Sequence, residues 1–235
     1  MTDDRTTVAI IDNDASLRGR LQVLIGAAGL TSKLFRSAEE YLNRYAFHLP
    51  NCTVLDVRLP GMSGLDLQFR LAATRGNAPL VFLTTHSDVR TSVRAMKAGA
   101  VDFLIKPFED KALLDAVMRG VERDRAARLQ ERTLNVLRGR LASLSARERE
   151  TMVLLSSGHG PKQIAGHLGI TTHTARVHSS RIMAKMGARS IADLVRMVDT
   201  LEALSHAGTE LCLKVQSNAS LSKITLAALA SNHDR

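Results

Sequence analysis

Four short apolar runs in the first half of this chain each stop at a residue able to handle a phosphoryl group. Residues 8–11 (Val-Ala-Ile-Ile) lead into Asp12-Asn13-Asp14, and residues 52–55 (Cys-Thr-Val-Leu) lead into Asp56. Residues 80–83 end at Thr84, and residues 103–105 end at Lys106-Pro107. A carboxylate can attack phosphorus and become an acyl phosphate. Charge then spreads over the transferring oxygens, so a divalent cation and a lysine are needed to neutralise it. In a parallel sheet the carboxyl ends of the strands share one edge, and ligands sit in the crevice outside it. Acid pocket, hydroxyl and lysine would then converge from four separate stretches as a phosphoryl-transfer site.

The elements that must do this positioning are legible as a repeat. Within residues 1–119, apolar runs at 8–11, 30–35, 52–55, 80–83 and 101–105 alternate with helical patterns near 15–28, 38–47, 64–75 and 88–98, and a fifth helix begins near Lys111. Five repeats of strand then helix predict a parallel sheet covered on both faces. Gly29, Gly76 and Gly99 follow helices, as C-terminal caps do. Between 110 and 141, Leu113, Leu114, Val117, Val121, Leu129, Leu137 and Leu141 recur at helical intervals in Arg-, Glu- and Ala-rich sequence. This predicts the fifth helix running on into a helical linker over 120–143, either paired with a second copy or solvated alone. Residues 144–200 hold four short helical patterns and no strand signal. The extension 201–235 turns Ser- and Ala-rich, carries no motif, and is expected to be poorly ordered or loosely packed.

At 235 residues and 45% apolar content the chain has room for two ordinary domains, each with a core. No apolar run approaches the length of a membrane span, and the acidic start is unlike a secretory signal. Cys52 and Cys212 are too few and too far apart for a disulfide framework or a metal site. Cys52 is expected in a buried strand and the chain in the reducing cytoplasm. The net charge of +9 divides as +2 over 1–119, +3 over 120–143, +4 over 144–200 and zero over 201–235. The excess lies in the middle-to-late chain, where attraction to a polyanion is expected.

Taken together, the residues of the first half resemble the receiver domain of two-component response regulators. The resemblance implies a doubly wound, flavodoxin-like α/β fold with five parallel strands. It implies Asp56 as phosphate acceptor, followed by the loop Leu59-Pro60-Gly61-Met62-Ser63-Gly64, and Asp12 as an acid of the metal site. Thr84 falls at the switch hydroxyl, Lys106 at the lysine and Phe103 at the aromatic residue that changes rotamer. Mg²⁺ would be held by Asp12, Asn13, Asp56 and the backbone carbonyl of Arg58, with waters completing the shell. Lys106-Pro107 is expected to be a cis peptide. One departure stands out: Asn13 occupies a position that is usually acidic, so cation binding should weaken. Asp14 either compensates through water or caps the first helix.

Residues 144–196 resemble the helix-turn-helix output domain of NarL/FixJ (LuxR-type) regulators. Leu144-Ser145-Ala146-Arg147-Glu148 carries a capping box, Lys162-Gln163-Ile164-Ala165-Gly166-His167-Leu168-Gly169 a scaffold helix, and Thr174-Ala175-Arg176-Val177-His178 the reading helix. Thr171 or Thr172 caps that helix, which spans about 172–186. Ala175, Ile182 and Met186 point to the core, and His173, Arg176, Val177 and Ser180 point outward. Arg176 suits a guanine edge and Val177 a thymine methyl. Lys162, Arg181, Lys185 and Arg189 are candidate phosphate contacts. His178 is either packed and hydrogen-bonded or a phosphate contact. Pro161 stands where an Asn is usual, but it suits a first helical turn.

The joint resemblance implies a regulator, not an enzyme beyond its own dephosphorylation. A sensor histidine kinase would phosphorylate it, and it would then form a homodimer on promoter DNA and act with RNA polymerase as an activator. Two other readings remain open. One is a DNA-binding regulator indifferent to phosphorylation, suggested by Asn13. The other is an Asp-x-Asp phosphatase using Asp12 as nucleophile and Asp14 as acid, in which Asp56 would have no task.

Overall fold

Val8, Ala9, Ile10 and Ile11 have no exposed surface at all, as a strand covered on both faces requires. In the computed structural model they form strand β1 (Thr7–Ile11). Strands β3 (Cys52–Asp56) and β4 (Leu80–Thr84) are buried along their whole length. At the two edges lie β2 (Thr31–Phe35), with the exposed Lys33, and the partly exposed β5 (Asp102–Ile105). The five strands are all parallel in the order β2-β1-β3-β4-β5. The structure describes residues 6–45, 49–75, 78–85 and 89–207. Gly76 and, of the extension 201–235, the residues from 208 onward lie outside those residues, while 201–207 are helical, where the sequence suggested poor order. Gly29 and Gly99 both adopt positive φ just after a helix, as their positions suggested.

Alternation along β1 sends successive side chains to opposite faces. Val8 and Ile10 pack with Leu21 and Ile25 of α1 (Ala15–Ala27) and with Leu113, Ala116 and Val117 of α5 (Asp110–Ala142). Ala9 and Ile11 pack on the other side with α2 (Ala38–Arg44), α3 (Gly64–Arg75) and α4 (Val89–Lys97), through Tyr41, Leu67, Leu71 and Ala95.

Helix α5 runs for 33 residues, the fifth helix and the linker in one piece. The first unit's hold on it extends past 119, where the sequence suggested a boundary. Gly120 lies so close to β3 that a Cβ there would come within 2.6 Å of Cys52 Sγ. Burial pushes that thiol's pKa up to about 12, so it is inert as a nucleophile. Further along, Asn51 accepts from Thr7 N at 2.8 Å and donates to Asp124 at 2.7 Å. Arg128 donates to the same carboxylate at 2.6 Å and to the Leu49 carbonyl at 2.8 Å. The chain accordingly divides into two compact units, Met1–Gln130 and Glu131–Arg235.

The second unit is helical: the end of α5, then α6 (Ala146–Ser156), α7 (Pro161–Leu168), α8 (Thr172–Met186) and α9 (Ile191–Ala207). Its core gathers Leu144, Met152, Leu155, Ile164, Ala165, Ala175, Ile182, Met186 and Leu194. Ser145 and Glu148 make the expected reciprocal cap on α6. Among the described residues no helix is long and apolar enough to cross a membrane.

Candidate functional site

The parallel sheet brings Asp12, Asp56, Thr84 and Lys106 to one edge, because each is the last residue of its strand or the first beyond it. Lys106 Nζ donates to Asp56 Oδ2 at 2.5 Å and to Asp12 Oδ2 at 2.7 Å. The Asp12 side chain is 1% exposed and that of Asp56 10%, so one ammonium faces two nearly buried carboxylates. Burial works against the charge on Lys106, but hydrogen bonds and charges from Asp12 and Asp56 outweigh it. The pKa therefore lies above the ordinary lysine value. The remaining oxygens are oriented by backbone: Asp56 Oδ1 accepts from Arg58 N at 2.8 Å, and Asp12 Oδ1 accepts from Asp14 N at 2.9 Å.

Thr84 is buried at the end of β4, and its carbonyl accepts from Lys106 N at 2.6 Å. Phe103 is half-buried, its ring centroid 6.2 Å from that of Phe82. The Lys106-Pro107 peptide is cis. Asn13 is exposed. The Asp14 carboxylate is engaged as N-cap of α1, accepting from Ser16 N and Leu17 N, which is one of its two expected uses. The Asp-x-Asp spacing thus serves a helix start.

Two partners of this edge carried no signal in the sequence. Arg18 of α1 donates through Nη1 to the Asp12 carbonyl at 2.6 Å. Glu39 of α2 accepts from Met62 N at 2.8 Å and holds the loop that follows Asp56. Backbone donors at Glu39 itself and at Met62 lower its pKa. Both contacts join residues with no local pattern to advertise them.

For a divalent cation, the donors here are the Asp12 and Asp56 carboxylates. Among the described residues no third acid, histidine or cysteine joins them. Two hard oxygen ligands fit a Mg²⁺ that keeps several waters, as it commonly does.

In the second unit Gly169 adopts a left-handed φ of 62° after α7, and Thr171 caps α8 by accepting from Thr174 N. His173, Arg176, Ser180 and Arg181 are exposed, Val177 half-buried, and Ala175, Ile182 and Met186 buried. Lys162 and Arg189 are exposed as well. His178 is half-buried, and its Nδ1 is enclosed without a hydrogen-bond partner. Lys185 has its ammonium occupied inside the unit, bonded to Glu148 Oε2 at 2.7 Å and to the Ser143 carbonyl at 3.1 Å. Its spacing alone could not reveal this, since Glu148 lies on another helix.

That pair has a pH signature. The hydrogen bond from Lys185, with those at Ser145, holds the Glu148 carboxyl down to about 2, against an ordinary 4.5. A depressed carboxylate stabilises the fold above its unfolded pKa, and the contribution is lost as pH falls through the folded value. The second unit should therefore weaken between about pH 4.5 and 2. In Glu148→Gln the pH dependence in that window should flatten, read as denaturant midpoints by circular dichroism at stepped pH. An identical slope in the variant would show the pair to be idle.

Comparison with known proteins agrees with both units. Residues 8–118 match the response regulator receiver domain, and residues 142–198 match the bacterial regulatory proteins of the luxR family. The chain is 45% identical over 197 residues to nodulation protein W of Bradyrhizobium diazoefficiens, covering 84% of this chain and 87% of that protein. It is 40% identical over 198 residues to the transcriptional regulatory protein FixJ of Rhizobium meliloti, covering 84% and 96%. Among solved structures, the response regulator StyR aligns with a TM-score of 0.75 at 42% identity, over 83% of this chain and 98% of that one. A receiver-type sheet edge, a capped helix-turn-helix and full-length relatives of the same two-part build lead to one assignment: the chain belongs to the NarL/FixJ family of DNA-binding response regulators of two-component systems.

Proposed function

We propose that Asp56 accepts a phosphoryl group from a sensor histidine kinase, and that this modification controls how the second unit engages promoter DNA. The observation that carries the reading is the single ammonium of Lys106 bridging Asp56 and Asp12 at the carboxyl edge of the sheet. Asp56 attacks the phosphohistidine phosphorus, the P–N bond breaks, and an aspartyl phosphate forms. Lys106 neutralises oxygens of the transferring group, and Asp12 with Asp56 and the Arg58 carbonyl would hold Mg²⁺. When bound, that ion supplies further charge neutralisation. Thr84 then bonds the new phosphoryl group and Phe103 turns inward. Water attack on the acyl phosphate, assisted by the same residues, returns the chain to its resting state.

The exposed apolar side chains Val93, Met96, Ile105 and Met118 on α4, β5 and α5 support a homodimer formed on phosphorylation. On DNA, His173, Arg176, Val177 and Ser180 address base edges, and Lys162, Arg181 and Arg189 address phosphates. Lys185, once expected among those contacts, stays with Glu148. The dimer acts in the cytoplasm as an activator through RNA polymerase.

Acetyl phosphate labelling tests the acceptor. Label should vanish in Asp56→Ala and persist at a reduced level in Asp12→Asn; the reverse pattern would favour the Asp-x-Asp phosphatase chemistry. Promoter binding unchanged by Asp56→Ala would support the reading, suggested by Asn13, in which DNA binding ignores phosphorylation. Asn13→Asp adds a charged oxygen ligand and should tighten Mg²⁺ binding in a calorimetric titration. Equal affinity in the two proteins would remove Asn13 from the metal's surroundings.

A further inference from the structure

Helix α8 presents the base-reading side chains, so its aim depends on what fixes its two ends. The N-terminal end is set within the motif by Thr171. The C-terminal end is fixed from outside it. Arg140, in the closing turns of α5, donates through Nη1 to the carbonyl of Met186 at 2.9 Å. Met186 is the last residue of α8, and its carbonyl is among those a helix leaves without an internal partner. A cation there also meets the negative end of the helix dipole.

Two further observations show a fitted contact. Gly187 follows with a left-handed φ of 67°, and a Cβ at that position would come within 2.9 Å of Arg140 Nη1 and 3.1 Å of its Cζ. The guanidinium thus occupies space that only glycine leaves open. Next to Met186, Lys185 Nζ donates in the reverse direction, to the Ser143 carbonyl just beyond α5. The last turn of α8 and the end of α5 are laced together by one bond from each side. Arg140 lies between the two matched segments, which end at 118 and begin at 142.

We propose that Arg140 is a positioning residue for DNA reading: it touches no nucleic acid, and by anchoring the end of α8 to α5 it sets the tilt at which Arg176 and its neighbours meet base edges. The inference rests on α8 as the reading helix. Bidentate base contacts tolerate about 0.5 Å of misplacement, whereas flexible contacts to phosphates adapt. Loss of Arg140 should therefore erode discrimination between sequences and leave the sequence-independent attraction alone.

The test uses the full chain and a duplex selected from a random pool, alongside a scrambled duplex of equal composition, both titrated by fluorescence anisotropy over a range of salt. Arg140→Ala should weaken binding to the selected duplex about tenfold, leave the scrambled duplex within about twofold, and keep the salt slope. Arg140→Lys and Arg140→Gln each retain a donor and should fall between, and they carry the test if the alanine variant melts at the working temperature. An unchanged ratio of the two affinities in folded variants overturns the proposal. So does a parallel loss on both duplexes with a shallower salt slope, which would make Arg140 a phosphate contact. Arg176→Ala keeps the premise separate: if it leaves the ratio intact, the assignment of α8 fails first.

Discussion

Lys106→Met is expected to cut phosphorylation of Asp56 by acetyl phosphate about 10²–10³-fold, the usual cost of removing one preorganised donor from a developing anion. The side chain has its ammonium 2.5 Å from one carboxylate and 2.7 Å from the other, at the edge where the proposed transfer takes place. Methionine keeps a comparable length and removes the charge. The two nearly buried carboxylates would then lose the one side-chain cation bonded to both, and incoming phosphate oxygens would meet less positive charge. Lys106→Arg should not restore the rate, because a planar fork cannot deliver a point charge into the same space. The raised pKa of Lys106 adds a second check: between about pH 6 and 9 no limb of the wild-type rate profile should belong to this residue. Radiolabel or mass measurements over time read the rate, and circular dichroism confirms folding. A rate within about threefold of wild type would displace Lys106 from the transfer step.

The second large effect is structural. Gly64 opens α3, and a Cβ there would collide with the backbone oxygen of Asp56 and sit 3.2 Å from Val57 Cα. Neither neighbour is a flexible side-chain tip, so the backbone must move. Gly64→Ala is expected to destabilise the first unit by about 3 kcal/mol, the upper part of the overpacking range. For a unit of this size that lowers its melting temperature by roughly 10 °C. The displaced atom belongs to Asp56, the proposed acceptor, so the folded fraction should also phosphorylate more slowly. Calorimetry of the full chain reads the shift, and a transition unmoved within about 2 °C would mean the approach relaxes at little cost.

The gathering of these side chains at one edge was legible in the sequence for a simple reason. Asp12, Asp56, Thr84 and Lys106 each terminate an apolar run, and a parallel sheet must gather such ends. Helix α8 was legible because Gly169 ends the helix before it, a threonine at 171 or 172 offers a cap, and its apolar and polar residues fall on separate faces; the structure uses Thr171. What stayed hidden is pairing between separate elements. Lys185 with Glu148, Glu39 with Met62, and Arg18 beneath Asp12 each join two elements whose own patterns do not name the partner. The reach of the first unit along α5 was hidden likewise, since Asp124 answers to Asn51, 73 positions earlier.

Helix α5 is fastened at Asp124 and Arg128 and again at Arg140, and every residue from Leu129 to Thr133 between those fastenings is exposed. Exposed helical positions tolerate most side chains that keep the helix, so composition in that stretch is free to drift over evolutionary time. Descendants of this sequence should therefore differ widely in which letters fill that stretch, with good helix formers prevailing among them.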